Sequence, residues 1–436
     1  MDPITLSILI FALLFVLLAI GLPIGFAMAV TGFLGSAVLI DFNAAMALLG
    51  QTAFETPITY NLSIVPLFIL MGYFASNSGL SEALFSACNT WLGSRRGGLA
   101  LATIGGCGAF AAICGSSLAT AATMTQVALP EMKRFNYADS LATGSIAAGG
   151  TIGILIPPSV ILVLYGILTE SNIGELFLAG FIPGILTVTV FMVTISITTA
   201  IFPATGPRGA KTTFTEKMGA FKKVGSTVAL FLLVIGGIYL GIFSPEEAAG
   251  IGASGALLLA LIARTMTWKI FFDCLMETVK TSAMIFTILI GAILFNNFLV
   301  LSAVPDSIGA WIGGLDMSPT AILIIILLIY LVLGCALDSL AMILLTIPIF
   351  FPVVAKLGFD PIWFGIIVVM VVELGLITPP IGMNVFIIKG MAPDVPLGTI
   401  YKGVLPFAVA QILLITLIVI FPAIATWLPS TMAQFQ

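Results

Sequence analysis

Long apolar runs alternate with short polar breaks along almost the whole chain. The first 40 residues exceed one span, because at 1.5 Å per residue they would make a helix of about 60 Å, twice the hydrocarbon core. Gly21-Leu22-Pro23 divides them into two helices. A weaker piece, 43–54, reads as interfacial, and 59–76 reads as a third span containing Pro66. The run 99–132 behaves differently. It holds Gly105, Gly106 and Gly108, then Gly115-Ser116-Ser117 near its middle, then Thr120, Thr123 and Thr125. Each arm has about 16 residues, short for a tilted crossing. The pattern predicts a re-entrant hairpin with its tip at Gly115–Ser117. Residues 140–168 form a span broken between Gly149 and Pro158, and 176–202 form another. Residues 203–224 are polar and basic (Arg208, Lys211, Lys217, Lys222, Lys223) and read as a linker.

The pattern then starts again. Runs 227–242 and 248–261 are a pair split at Ser244-Pro245, an amphipathic piece covers 268–279, and 281–301 is a span. A second hairpin is predicted over 320–354 with its tip at Leu337-Asp338-Ser339, a second broken span over 362–388, and a last span over 404–427. The likeness extends to single residues. Gly153-Ile154-Leu155-Ile156-Pro157-Pro158 returns as Gly375-Leu376-Ile377-Thr378-Pro379-Pro380, an offset of 222 (375 − 153). The same offset joins Ser117 to Ser339, Pro130 to Pro352 and Pro23 to Pro245. The chain therefore reads as two repeats, 1–202 and 225–436, joined by the linker. Each half is expected to cross an odd number of times, so the repeats have inverted topology. The fold class is an all-α polytopic membrane protein, each repeat carrying a re-entrant helical hairpin and a broken transmembrane helix.

Composition narrows the class. Of 436 residues 60% are hydrophobic and 8% charged, where ordinary soluble domains carry about 25% charged residues. The weak 10-residue alternation of a transmembrane barrel is absent from the pattern. The apolar stretch from Ile4 to Ala19 follows Asp2 rather than a basic segment, so it reads as a span and not a cleaved leader. With 203–224 on the cytoplasmic side, all of the 15 Lys and Arg residues except Lys356 fall on cytoplasmic loops, as the positive-inside rule requires. Both termini are then periplasmic, and the hairpin tips enter from opposite sides. Trp91, Trp268, Trp311 and Trp427 suit interfacial anchors. The chain has no histidine, which excludes His-based acid–base catalysis, Ser-His triads and His-ligated metals. Its five cysteines form no CxxC pair and read as small buried residues, so no transition-metal site is expected. No Gly-Lys-Ser/Thr phosphate loop is present, which argues against ATP-driven transport by this chain.

Backbone in hydrocarbon must be hydrogen-bonded internally, so irregular segments survive there only when buried or lining a cavity. The two tips and the two Gly/Pro breaks are four such segments. Their freed carbonyls and helix ends suit a small cation and an anionic substrate group. Taken singly, the prolines would mark loops between separate helices, and the Gly-Ser-Ser cluster close helix packing. Asp338 and Glu373 lie in apolar segments, where a charge costs roughly 2.5–3.5 kcal/mol on insertion scales. Asp338, in a tip, reads as a direct or indirect part of a cation site; Glu373 reads equally as a protonated carboxyl satisfied by backbone. A proton-coupling role stays open for both. Asn61, Ser63, Ser76, Asn77, Asn296 and Asn297 read first as structural hydrogen-bonding positions, with substrate contact as the lesser alternative.

Taken together, Gly375–Asn384 (GLITPPIGMN), Pro66–Gly72 (PLFILMG), Gly153–Pro158 and Leu344–Pro352 resemble the large membrane (M) subunit of tripartite ATP-independent periplasmic (TRAP) transporters, of the DctM/SiaM type in the ion-transporter superfamily. The resemblance covers essentially the whole chain. It implies a sodium-driven secondary importer of small organic acids, of the sialic acid or C4-dicarboxylate type, working by an elevator motion in the bacterial inner membrane. It implies Na+ as coupling ion, a soluble periplasmic substrate-binding protein, and a small four-helix membrane subunit. No such four-helix segment precedes Met1, so that subunit is expected as a separate chain. Carried over by position, one sodium lies between Ser116, Ser117 and Gly153, Ile156, Pro158, and a second between Gly334, Asp338 and Gly375, Thr378, Pro380. The substrate is expected between the tips, with Ser117, Ser339, Thr151 and Asn384 as candidate contacts. The alternatives are a stand-alone sodium- or proton-coupled carrier or antiporter of the same superfamily and, from a different class, an intramembrane enzyme.

Overall fold

The computed structural model describes residues 2–305, 307 and 317–432. Among these residues every regular element is a helix. Trp311 and residues 433–436, the end of the second predicted repeat, lie outside them.

Helices α1 (Pro3–Ala19) and α2 (Ile24–Leu39) part at Gly21–Pro23, as the pattern predicts. The weak piece at 43–54 is a full helix, α3 (Phe42–Ile58). Its first turn is capped by the Asp41 carboxylate, which accepts from Asn43 N at 2.7 Å and Ala44 N at 3.1 Å. A turn at Tyr60–Ser63 leads into α4 (Ile64–Ser76), and the chain bends by 57° there. α5 (Leu80–Leu92) matches no predicted element, because Glu82, Asn89 and Thr90 dilute its hydropathy. It is amphipathic and buries Leu84 and Phe85.

The hairpin arms are α6 (Gly98–Cys114) and α7 (Ser117–Arg134), turning at Gly115-Ser116. α8 (Asp139–Gly150) unwinds through a short turn at Thr151–Ile154 before α9 (Val160–Thr169), and α10 (Ile173–Ile201) ends the half. α11 (Phe214–Tyr239) starts inside the predicted linker. The cause is a capping box: Thr213 N donates to Glu216 Oε2 at 2.7 Å, and Glu216 N donates to Thr213 Oγ1 at 3.3 Å. A second capping box, Ser244 with Glu247, opens α12 (Pro245–Ile262).

α13 (Trp268–Leu301) runs unbroken for 34 residues. The two pieces expected on either side of Lys280 are therefore one helix. No Gly or Pro separates them, and the Lys280–Glu277 ion pair at 2.7 Å sits on the helix surface at i, i+3. The second hairpin is α14 (Pro319–Gly334) and α15 (Ser339–Lys356), followed by α16 (Pro361–Gly375), the second break, and α17 (Met383–Met391). The last predicted span divides into α18 (Leu397–Ile420) and α19 (Ala423–Met432), because Pro422 disfavours helix in the residue before it.

α10, α11, α12, α13, α15 and α18 are each long and apolar enough to cross a bilayer, and the bent α3–α4 segment reaches that length as a unit. Outward-facing Ile8, Phe15, Phe26, Leu233, Leu258 and Leu413 are exposed, the surface expected where lipid is the solvent. The centre is different. α8, from Leu141 onward, and α16, from Ile362 onward, are buried on every side. α16 is apolar on every face but for Glu373, and such a helix belongs in the interior. At the periphery α2 and α13 touch backbone to backbone. A Cβ on Gly32 would lie 2.6 Å from the Leu294 carbonyl carbon, and one on Gly291 2.1 Å from Gly25 O. Small residues at such crossings are how membrane helices approach closely.

Candidate functional site

The first tip rests on the first break. Gly115 takes φ of +62°, a left-handed value that favours glycine, and so ends α6. Ser116 then caps α7, with Ser116 O accepting from Thr120 N at 3.0 Å and from Thr120 Oγ1 at 2.7 Å. Gly153 packs on this turn: a Cβ there would lie 2.7 Å from Ser116 O and 2.9 Å from Thr120 Oγ1. Gly115 in turn sits against Pro158 O, which a Cβ would approach to 2.6 Å. Ser116, Gly153 and Pro158 are thus brought together. The Ile156 side chain instead packs against Gly184 of α10, so that residue can offer the tip only its main chain. Pro157 and Pro158 carry no N–H, so Gly153 O and Ile154 O lack the donors a continuous helix would supply.

The second tip and second break meet in the same way. A Cβ on Gly375 would lie 2.6 Å from the Gly334 carbonyl carbon. Gly382 N donates to Cys335 O at 3.1 Å, and Cys335 Sγ to Pro379 O at 3.3 Å. Thr378 turns its hydroxyl back to Leu374 O at 2.6 Å, and Pro380 O is taken by the Tyr401 hydroxyl at 2.9 Å. Asp338 caps α15, accepting from Ala341 N at 2.8 Å, and lies on a cavity wall. Both breaks carry a cis Pro-Pro peptide, Pro157-Pro158 and Pro379-Pro380.

That cavity, of about 330 Å³, lies where the two tips face α4 and α13. Ser116, Ser117, Asp338 and Ser339 line it from the tips; Tyr73, Ser76, Thr281 and Met284 line it from the opposite wall. Across that wall the Tyr73 hydroxyl and Thr281 Oγ1 are 3.0 Å apart. Among the described lining residues none is basic. The tips bring the first turns of α7 and α15 to the wall, that of α15 capped by the Asp338 carboxylate. Of the candidate contacts, Ser117 and Ser339 are on the wall, whereas Thr151 and Asn384 are behind it. Thr151 donates to Ala148 O at 2.6 Å; Asn384 Nδ2 donates to Ala147 O at 3.3 Å, tying α17 to α8.

The arrangement that reasoning from the chain missed is at Glu373. Its carboxylate is buried and accepts from the Ser117 hydroxyl through Oε2 and from the Ser339 hydroxyl at 3.1 Å through Oε1. Side chains, not backbone, satisfy it. The apolar setting of Glu373 marked it as unusual, but its partners lie 256 and 34 residues away. Asn77, read as structural, donates to Tyr73 O at 3.0 Å. Among the described residues no cluster of three or more His, Cys, Asp or Glu could hold a metal.

Buried unwound helices, paired hairpins and a lipid-facing shell of long apolar helices define a multi-pass helical membrane protein of transporter fold. The fold is shared with the YdaH transporter of Alcanivorax borkumensis, at TM-score 0.62 and 16% identity over 89% of this chain and 90% of that one. The chain belongs to the family described as "Tripartite ATP-independent periplasmic transporter, DctM component", whose sequence model matches residues 11–424. It is 35% identical to the C4-dicarboxylate TRAP transporter large permease protein DctM of Pseudomonas aeruginosa, over 86% of this chain and 88% of that one. It is 32% identical to the sialic acid TRAP transporter large permease protein SiaM of Vibrio cholerae, over 95% and 96% respectively. It is therefore a TRAP transporter large permease.

Proposed function

We propose that this chain imports a small organic anion across the bacterial inner membrane, driven by sodium and supplied by a soluble periplasmic binding protein. C4-dicarboxylates and sialic acid, the cargoes named for the two relatives described above, are the first candidates. The observation that carries the reading is the cavity between the two tips. Its volume of about 330 Å³ falls at the small end of ligand sites. With no basic side chain among its described wall residues, an anion would be held by the positive end of α7, since the first turn of α15 is already capped by the Asp338 carboxylate. Sodium is cargo here, and the donors fit it: main-chain carbonyls and hydroxyls at unwound helix segments are how transporters coordinate Na+. The first set is Ser116, Ser117, Gly153, Ile156 and Pro158; the second is Gly334, Asp338, Gly375, Thr378 and Pro380.

The 222-residue offset and the odd number of crossings expected per half support inverted repeats, and the placing of Lys and Arg along the chain supports periplasmic termini. In this reading α6–α9 and α14–α17 form a body that travels in an elevator motion. The outer helices form a scaffold that docks a four-helix membrane subunit. The test is uptake into proteoliposomes of this chain with its small subunit, across a panel of labelled organic acids. An inward sodium gradient is imposed with and without the binding protein. Uptake requiring both is expected. Uptake with sodium but no binding protein would assign a stand-alone carrier, and uptake driven by protons alone would remove the sodium assignment.

A further inference from the structure

Glu373 is the one acidic side chain buried among the described residues, and its two oxygens go to two different hairpins. Ser117 is the first residue of α7 and Ser339 the first of α15. They stand 222 apart (339 − 117), so one carboxylate grips the same position of both halves. The residue at the matching place in the first half is Thr151 (373 − 222), whose hydroxyl turns back to Ala148 O in its own helix at 2.6 Å. The link therefore exists once. Among the described residues no basic side chain pairs with Glu373, and the two serines, not the glutamate, form the cavity wall.

A hydroxyl has one hydrogen to give and two lone pairs. With Glu373 ionised, Ser117 and Ser339 each spend that hydrogen on it. Each can then offer the cavity lone pairs only. Oxygens so fixed attract a cation and repel a carboxylate, which is left to the helix amides. We propose that Glu373 is a positioning residue that ties the two tips together and fixes Ser117 and Ser339 as acceptors toward the cavity, so that both present lone pairs to a cation. This rests on the sodium-coupled reading above.

The test compares wild type, E373Q and E373A in proteoliposomes of the full complex, against sodium concentration and, at saturating sodium, against substrate. Glutamine keeps both hydrogen bonds, but its amide nitrogen must donate to one serine and turns that hydroxyl's hydrogen toward the cavity. In E373Q half-saturating sodium should rise at least tenfold while substrate KM moves less than twofold. A sodium curve matching wild type overturns the proposal. Hydrogen–deuterium exchange supplies an independent readout. E373A should speed exchange at both 115–120 and 337–342; loosening confined to 371–377 overturns the tie. Were wild-type uptake indifferent to sodium, the functional reading and the cation role would both fall, and exchange would decide the tie alone. Should E373Q not fold, S339A replaces it: half-saturating sodium should rise at least threefold, and an unchanged value overturns the proposal.

Discussion

Replacing Gly153 by alanine puts one methyl group between the first tip and the first break. The new Cβ would stand 2.7 Å from Ser116 O and 2.9 Å from the Ser116 carbonyl carbon. Ordinary contact begins at 3.4 Å, so the two main chains must part by 0.7 Å (3.4 − 2.7). Neither side is the free end of a flexible side chain. Ser116 O is held by two hydrogen bonds from Thr120, and Gly153 lies inside a buried turn. Overpacking of this kind costs about 1–3 kcal/mol. If that cost falls on the ion-loaded geometry, half-saturating sodium rises roughly 5- to 150-fold, at 1.4 kcal/mol per decade. Uptake is read against sodium, and the melting temperature of the purified protein is followed alongside. Gly236→Ala is the control, since nothing lies within 4 Å of its Cβ and alanine favours the helix by about 0.8–1.0 kcal/mol. A Gly153→Ala protein with the wild-type sodium curve and melting temperature would refute the account of how tip and break are joined.

Two further outcomes follow from contacts away from the cavity. Tyr165 donates its hydroxyl to Pro361 O at 2.6 Å, joining α9 to the start of α16; Tyr165→Phe leaves that carbonyl without this donor and should cost about 1–3 kcal/mol, seen as a lower melting temperature, and an unchanged one would count against the contact. Lys133 pairs with Asp394 at 2.5 Å and, chiefly by its hydrogen bond, holds that carboxyl below its ordinary value of 3.8. A depressed folded-state pKa contributes stability above the unfolded value and loses it as pH falls through the folded one. Any melting-temperature gap between wild type and Asp394→Asn should therefore close as acid is added below pH 3.8, and a gap that widens would reverse the assignment.

Both hairpins and both breaks were legible because glycine, proline and hydroxyl residues interrupt apolar runs there, and their helix bounds fall within a few residues of those read from the chain. α5 was not, since a helix packed against α6 and α11 need not be apolar enough for a hydropathy window. The join inside α13 was missed for the opposite reason: Asp273, Glu277 and Lys280 change the polarity of the run, but charges on an exposed face do not end a helix. At the site, main-chain contacts such as Gly153 on Ser116 left a trace as glycines in a repeated motif. For the Glu373 bridge the chain marked the three residues but not their contact. It depends on bringing Ser117 and Ser339 to one point, which only the packing of the two hairpins determines.

The nearest contacts at each tip are main chain on main chain, Gly153 on Ser116 and Gly375 on Gly334. Such a joint has no side chain to exchange. Mutation can break it but has no graded way to retune it. Ile69, Tyr73, Met284, Ile285 and Met383, on the cavity wall, are side chains that can each be swapped one at a time. Inheritance thus has two unequal handles on this protein. A lineage can reshape the cavity by small steps, while the frame that holds it either survives intact or is lost.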